Sequence, residues 1–137
     1  MPEFLSTEWL EALDAAARGS GSLAARTQDV TLTIQQVVHH APRGETRYYM
    51  TIDRTGVRVR PGSTDSPDLT LIADYDVARA INAGTSNAQQ ALATGRLRIK
   101  GRLALLLGAE DVFATLDDVF APVRGATTYE DGPTMPT

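Results

Sequence analysis

Cysteine is absent from this sequence of 137 residues, and lysine occurs only once, at Lys100. Without cysteine the chain has no disulfide, no thiolate zinc ligand and no cysteine nucleophile, so an apolar core must stabilise the fold. The longest apolar run, residues 103–107, is too short to span a bilayer, and the N-terminal residues lack the basic and apolar regions of a signal peptide. We therefore expect a soluble, cytoplasmic protein.

A surplus of positive charge is also missing, because 13 Lys and Arg residues face 17 Asp and Glu residues, which gives a net charge of -4. A nucleic-acid-binding domain normally carries a positive surplus, so DNA and RNA are not expected partners. The length suits one globular domain, and 42% hydrophobic residues are enough for a core.

The N-terminal half predicts a helix followed by strands. Apolar residues from Trp9 to Ala17 recur at helical spacing after Ser6, a typical N-cap, which predicts a helix over residues 7–18. A polar stretch, residues 19–29, leads into a strand in which Leu32 and Ile34 alternate with polar residues. A hairpin follows, with residues 54–55 as its loop; this register places Ile52 opposite Val57 and Met50 opposite Val59.

The C-terminal half predicts two more strands and four helices. A strand over residues 68–73 leads into a helix capped by Asp74 and closed by Gly84, and a second short helix follows Asn87 and stops at Gly95. Residues 96–101 alternate as a fifth strand. Helical spacing then begins at residue 102, breaks at Gly108, and continues in a final helix that ends at Pro122. This order predicts an α+β fold with helices on one face of the sheet.

Candidate catalytic groups are few. His39 and His40 titrate near neutral pH and are potential metal ligands, but adjacent residues of a strand point to opposite faces, so we expect two exposed turn histidines. The acidic pairs of the last helix suit a solvated face. The sequence has no Walker loop, nucleophile elbow or dinucleotide fingerprint, and we expect no catalytic residue, no metal site and no cofactor.

A basic strand is the clearest charged feature. Arg96, Arg98 and Lys100 lie on one face of the fifth strand, opposite Leu97 and Ile99. Such a patch could meet lipid headgroups, a phosphorylated acyl carrier or an acidic protein; equally, it keeps an outer sheet face soluble.

Residues 67–101 resemble the sterol carrier protein 2 family. The matching features are the strand PDLTL at residues 67–71, a short helix ending at Gly84, and the segment NAQQALATGRLRIKG at residues 87–101. The motif continues to residue 107, and the order of elements matches from about residue 4 to 121, most closely in small stand-alone bacterial members. The family has no general catalytic motif.

The resemblance implies a five-stranded, mostly antiparallel sheet with helices packed on one face, which encloses an apolar tunnel. The expected ligand is a fatty acid, a fatty acyl thioester or a sterol. By position, the tunnel-lining residues would be Leu97, Ile99, Leu103, Leu106, Leu107, Phe113, Leu116 and Phe120. The whole chain, residues 1–137, would be one such domain, with a core of about 4–121 and a C-terminal tail, residues 122–137. Two roles are open for the tail, to cover a tunnel mouth or to dock on another chain. It lacks the peroxisomal Ser-Lys-Leu address.

Two other functions stay open at this stage. The chain could be an interaction or scaffold module with a closed tunnel, acting through its arginine-rich sheet face or its tail. It could also be an enzyme on a bound lipophile, with His39, His40 or Tyr49 as the acid or base. The strand alternation places Tyr49 on the face that points away from the core, which disfavours the enzyme.

Overall fold

The structure, a computed structural model, describes residues 3–42, 44–86, 88–107 and 110–129, with only the backbone described at residues 88, 89, 106 and 107. The helices are α1 (Thr7–Arg18), α2 (Gly21–Arg26), α3 (Tyr75–Ala83), α4 (Ala88–Ala93), α5 (Ala104–Leu107) and α6 (Glu110–Gly125). The strands are β1 (Leu32–His39), β2 (Thr46–Asp53), β3 (Gly56–Pro61), β4 (Leu69–Asp74) and β5 (Leu97–Gly101).

One mixed sheet contains all five of these strands, in the order β3-β2-β1-β4-β5. The central pair, β1 and β4, is parallel, and the other three pairs are antiparallel. Helix α1 packs against β3, α3 against β4 and β1, and α4 against β5, while α6 contacts α1, α2 and α3. The predicted α+β fold, with a mostly antiparallel sheet and a helical layer, is confirmed.

Helix α1 begins and ends where the sequence predicted. The Ser6 hydroxyl accepts a hydrogen bond from the backbone N–H of Trp9 at 3.1 Å, which caps the helix. Trp9, Leu10 and Leu13 are buried and form one face of the helix. This face covers the apolar side of the sheet and fixes the position of the first helix.

The hairpin between β2 and β3 also has the predicted register. Ile52 lies opposite Val57, and Met50 lies opposite Val59. Gly56 adopts φ +116, a conformation that L side chains rarely adopt, where the chain reverses. These apolar pairs therefore lie on the helix-facing side of the sheet, as the alternation required.

Two sequence-based predictions about helices were wrong. The polar stretch after α1 contains α2, which is capped by Ser20 and anchored by the fully buried Leu23. Helix α6 continues through Pro122 to Gly125 instead of ending there. Proline removes one N–H donor to the carbonyl four residues earlier; that residue, Asp118, is exposed, so water can satisfy its carbonyl.

Gln35 departs from the predicted alternation, because it is buried on the sheet face away from the helices. Its Nε2 lies 2.9 Å from the carbonyl oxygen of Tyr48 and 3.1 Å from that of Gly62, and its Oε1 accepts from the backbone N–H of Thr64 at 2.9 Å. The side chain thus ties the loop after β3 to this face of the sheet.

Replacing Gln35 with Leu should destabilise the fold by about 2 kcal/mol, because the loop loses its hydrogen-bond partners where they are partly buried. Urea denaturation measures this change. Thr70→Val is the matched control, since Thr70 lies beside Gln35 in the neighbouring strand and should change stability by only about 0.5 kcal/mol. Equal effects of the two substitutions would show that the Gln35 hydrogen bonds do not stabilise the loop after β3.

The described part of the C-terminal tail packs on the helical layer. The backbone N–H of Phe4 donates to the carbonyl oxygen of Thr128 at 2.8 Å, and the Tyr129 ring lies 5.5 Å from the Phe4 ring. Asn82 of α3 donates to the Tyr129 hydroxyl at 2.8 Å. The tail up to residue 129 is therefore held against the N-terminal segment and α3, and residues 130–137 lie outside the described residues.

Candidate functional site

On its helix-facing side, the part of the sheet formed by β1, β2 and β3 is closely covered by the helical layer. Six apolar residues of β1, β2 and β3 there are each at most 8% exposed: Leu32, Ile34, Met50, Ile52, Val57 and Val59. They pack in one cluster with Trp9, Leu13, Leu116 and Phe120 of the helical layer. Two residues of the predicted lining, Leu116 and Phe120, thus belong to this closed core.

A row of half-buried residues crosses the same side of the sheet nearby. Tyr48 of β2 pairs with Gln36 of β1, Gln36 pairs with Leu71 of β4, and Leu71 pairs with Ile99 of β5. All four are only partly buried, and we call them the open row. Because neighbouring strands lie about 4.8 Å apart, the row is about 14 Å long.

The rows on both sides of the open row are better covered. Ile34 and Leu69 are buried on one side, and Val38, Ala73 and Leu97 are buried on the other. Apart from Thr46 and Gly101 at the ends of those two rows, partial exposure is therefore concentrated in one line across four strands. A line of this shape can accommodate an extended chain.

The two ends of the open row differ in chemistry. Tyr48 and Gln36 make one end polar, whereas Leu71 and Ile99 make the other end apolar. Leu105 and Phe113 are also only partly buried and pack against the main core, which extends the apolar character into the helical layer. The arrangement matches an amphipathic molecule with one polar group and an apolar chain.

The remaining predicted lining residues fall in several places. Leu97 is buried in a second, smaller cluster with Ala73, Val77 and Ala91, whereas Leu103 is 53% exposed. Leu106 and Leu107 lie in α5, but their side chains are outside the described residues. Of the predicted set, Ile99 and Phe113 are the two that are only partly buried.

Leu71, Leu105, Gln36 and Tyr48 were missed as candidate site residues. Leu71 was assigned to the core by alternation alone, and its pairing with Ile99 becomes visible only when β4 and β5 are aligned. Gln36 occupies an inward position of β1, two residues after Ile34. A polar residue at an inward position is the signal that could have found this end of the site.

The polar end of the open row adjoins a buried tryptophan. Trp9 is 3% exposed, and its Nε1 atom has no hydrogen-bond partner. Its ring centroid lies 5.6 Å from that of Tyr48, in an edge-to-face contact. Burial raises the pKa of Tyr48 to about 12, although the Arg124 guanidinium acts in the opposite direction; the hydroxyl is therefore protonated at neutral pH.

The two histidines are paired separately with carboxylates. His39 Nδ1 lies 2.9 Å from Glu45 Oε1, and His40 Nδ1 lies 3.1 Å from Asp74 Oδ1. His40 is exposed, as predicted, and His39 is partly buried. Within the described ranges, no group of three His, Cys, Asp or Glu residues is arranged to hold a metal ion.

A polar cavity of about 320 Å³ lies where β1 and β4 end and β5 begins. Its lining includes His39, Asp74, Asp76, Arg96 and Arg98. Tyr49 lies on the outer side of the sheet, which faces away from the helices, since it pairs with Gln35 and Arg60. The three candidate acid–base residues therefore do not face the open row.

The basic residues on that outer side are not equivalent. Arg58 Nε contacts Asp14 Oδ1 at 3.1 Å, and Arg47 Nε contacts Glu45 Oε2 at 2.7 Å. Arg98 and Lys100 form no ion pair with any residue in the described part of the chain. Arg98 and Lys100 are therefore among the cations of this side that remain available to a partner.

The chain thus combines an α+β sheet with an amphipathic line beneath its helical layer. The model of the SCP-2 sterol transfer family matches residues 11–114. The chain belongs to this family, whose members bind or transfer lipids. No functionally curated protein matches the sequence.

Solved structures of the same fold support this assignment. A conserved protein of Thermus thermophilus, described as possibly a sterol carrier protein, matches with a TM-score of 0.70 and 18% identity over 90% of this chain and 91% of that chain. Sterol carrier protein 2 matches with a TM-score of 0.69 and 17% identity over 87% of this chain and 98% of that chain. A palmitated sterol carrier protein 2-like protein of Aedes aegypti matches with a TM-score of 0.56 and 20% identity, over 80% and 93% of the two chains.

None of the helices in the described ranges has the length and apolar character that crossing a bilayer requires.

Proposed function

We propose that this protein is a non-enzymatic carrier that binds a fatty acid, a fatty acyl thioester or a sterol-like molecule along the open row. The observation that carries the proposal is the line of partly buried residues from Tyr48 to Ile99, between better-buried rows. The family membership supports a lipid as the ligand, and the palmitated Aedes relative favours an acyl chain.

Burial of a lipid chain provides enough free energy for binding. A sixteen-carbon chain that buries about fifteen methylenes at roughly 0.8 kcal/mol each gains on the order of 12 kcal/mol. Lost translational and rotational freedom offsets about 4–15 kcal/mol of this gain. We therefore propose an affinity near the micromolar range, with little discrimination between chains that differ by one methylene.

The proposed carrier works as one domain without a cofactor. Residues 1–137 form the domain, with a core of about 4–121, and the lining comprises the open row together with Leu105 and Phe113. A chain without cysteine has no disulfide that would require an oxidising compartment, and we propose the cytoplasm of a bacterium. A transient contact with a membrane would suffice to load and release the ligand.

Lipid uptake by the delipidated protein tests this function. We expect palmitate, palmitoyl thioester or cholesterol to bind one per chain in native mass spectrometry, and organic extraction of freshly purified protein to release a lipid of the same class. Saturable binding at one site is the expected result. Failure to bind all three probes in a folded protein would contradict the proposal and favour an interaction module.

A further inference from the structure

The indole N–H of Trp9 is a buried donor without an acceptor. Trp9 is almost fully buried, and its Nε1 is the one side-chain N or O atom in the described part of the chain that is both inaccessible and unpaired. An unsatisfied buried donor costs about 1–3 kcal/mol, and buried polar groups normally have a partner. The edge-to-face rings of Phe4 and Tyr48 are much weaker acceptors than an oxygen atom.

Tyr48 and Gln36 carry two further polar groups near the indole. The Tyr48 ring touches the Trp9 ring, and Gln36 lies directly opposite Tyr48 on the neighbouring strand and on the same face of the sheet. Directly opposed residues have Cβ atoms about 5 Å apart. Neither the Tyr48 hydroxyl nor the Gln36 side-chain amide hydrogen-bonds any of the residues that the structure describes.

These three groups share one capability, because each can donate a hydrogen bond. The hydroxyl of Tyr48 keeps its proton at neutral pH, as its raised pKa requires. Tyr48 and Gln36 form the polar end of the open row, and the Trp9 ring packs against Tyr48, while Leu71 and Ile99 continue the row on the apolar side. A ligand with an oxygen acceptor at one end of an apolar chain satisfies them and fills the row.

We infer that Trp9 Nε1, Tyr48 Oη and Gln36 Nε2 form the anchor for the acyl oxygens of a fatty acyl ligand, a carboxylate or a thioester carbonyl. The inference rests on the proposed function and adds the orientation of the ligand and its class. A linear acyl chain suits a row one residue wide. A sterol places a single hydroxyl on a wide ring system, which matches three converging donors less well.

The indole N–H gives a direct readout, because Trp9 is the only tryptophan. In a ¹H–¹⁵N spectrum of delipidated protein labelled with ¹⁵N, the single indole peak should move downfield and its proton should exchange more slowly when palmitate is added. Palmitoyl thioester should cause a smaller shift in the same direction, because its carbonyl is a neutral acceptor.

Substitution of the two tyrosines provides a matched comparison. Tyr48→Phe removes one donor and should weaken palmitate binding about tenfold, the value of one hydrogen bond. Tyr49→Phe removes the same hydroxyl from the adjacent residue on the opposite face and should leave the affinity unchanged. Trp9→Phe should weaken binding and abolish the indole signal, and circular dichroism verifies that each variant is folded.

The outcomes separate this inference from the proposed function. If palmitate does not bind the wild-type protein, the proposed function fails. If native mass spectrometry shows one palmitate per chain while the indole peak does not move and Tyr48→Phe binds like the wild type, the lipid is bound and the anchor is wrong. If Tyr48→Phe and Tyr49→Phe weaken binding equally, the anchor is also wrong.

Discussion

Ile99→Glu should reduce the affinity for palmitate at least about 100-fold. Ile99 is the apolar end of the open row, and a carboxylate there loses hydration when a lipid chain covers it, at a cost of several kcal/mol. Because Ile99 is only partly buried, the new side chain reaches water in the lipid-free protein and the fold should survive. A titration of delipidated protein monitored by native mass spectrometry measures the loss.

Lys100→Glu is the control for this experiment, since Lys100 is the next residue and is exposed on the opposite face. The substitution introduces the same glutamate one residue further along β5, on the face away from the open row, and should leave palmitate binding unchanged. Under the alternative of an interaction module, Lys100→Glu would instead abolish capture of an acidic partner. Equal lipid binding by folded Ile99→Glu and wild-type protein would contradict a ligand along the open row.

Asp14→Ala should destabilise the protein by about 3 kcal/mol. Asp14 is buried on α1, and its Oδ1 accepts from the backbone N–H of Val59 at 2.8 Å. Its carboxylate also contacts Arg58 Nε at 3.1 Å and Arg18 Nε at 3.0 Å. Alanine leaves the Val59 N–H of the edge strand β3 unsatisfied and removes the partner of two cations, and an unsatisfied buried donor is costly.

Urea denaturation measures this loss, with Asp117→Ala as the control. Asp117 also pairs with an arginine, Arg124, but its side chain is 69% exposed, and exposed ion pairs contribute little. We expect a change below about 1 kcal/mol for the control. A similar small change for Asp14→Ala would show that Asp14 does not fasten α1 to the sheet.

The Asp14 contribution should also depend on pH. Burial alone would raise the pKa of this carboxyl, but the hydrogen bonds from Val59 and Arg58 and the two positive charges outweigh burial and lower it. The contribution is therefore complete above the ordinary value of about 3.9 and is lost as the pH falls through the lowered pKa. The stability difference between wild type and Asp14→Asn should be constant from about pH 5 to 8 and shrink below pH 4; a difference that grows in acid would contradict it.

Much of the fold was predictable because local signals agree with tertiary packing. The Ser6 cap and the apolar face of α1 fix the first helix, and the alternation around residues 54–55 fixes the hairpin register. Helix α2 was not predictable from apolar periodicity, because its stability rests on a cap and one buried leucine, Leu23. Pro122 misled because a proline ends a helix only when the freed carbonyl has no other partner.

The site was harder to predict than the fold. Periodicity assigns Leu71 and Ile99 to the core in the same way as Leu69, and the difference in their burial depends on what the helices cover. Gln36 and Tyr48 come together only through the pairing of β1 with β2. The missing partner of the Trp9 indole is a property of the packed structure, since the sequence shows only a tryptophan on the buried face of a helix.

Contacts between bound palmitate and the protein test the central claim most directly. In nuclear Overhauser spectra of the complex, we expect the terminal methyl of palmitate to contact the methyl groups of Leu71 and Ile99, and the methylene beside its carboxylate to contact the ring of Tyr48. Contacts instead to Ile72, which pairs with Arg98 on the outer face of the sheet and lines the polar cavity, would show that the ligand does not lie along the open row.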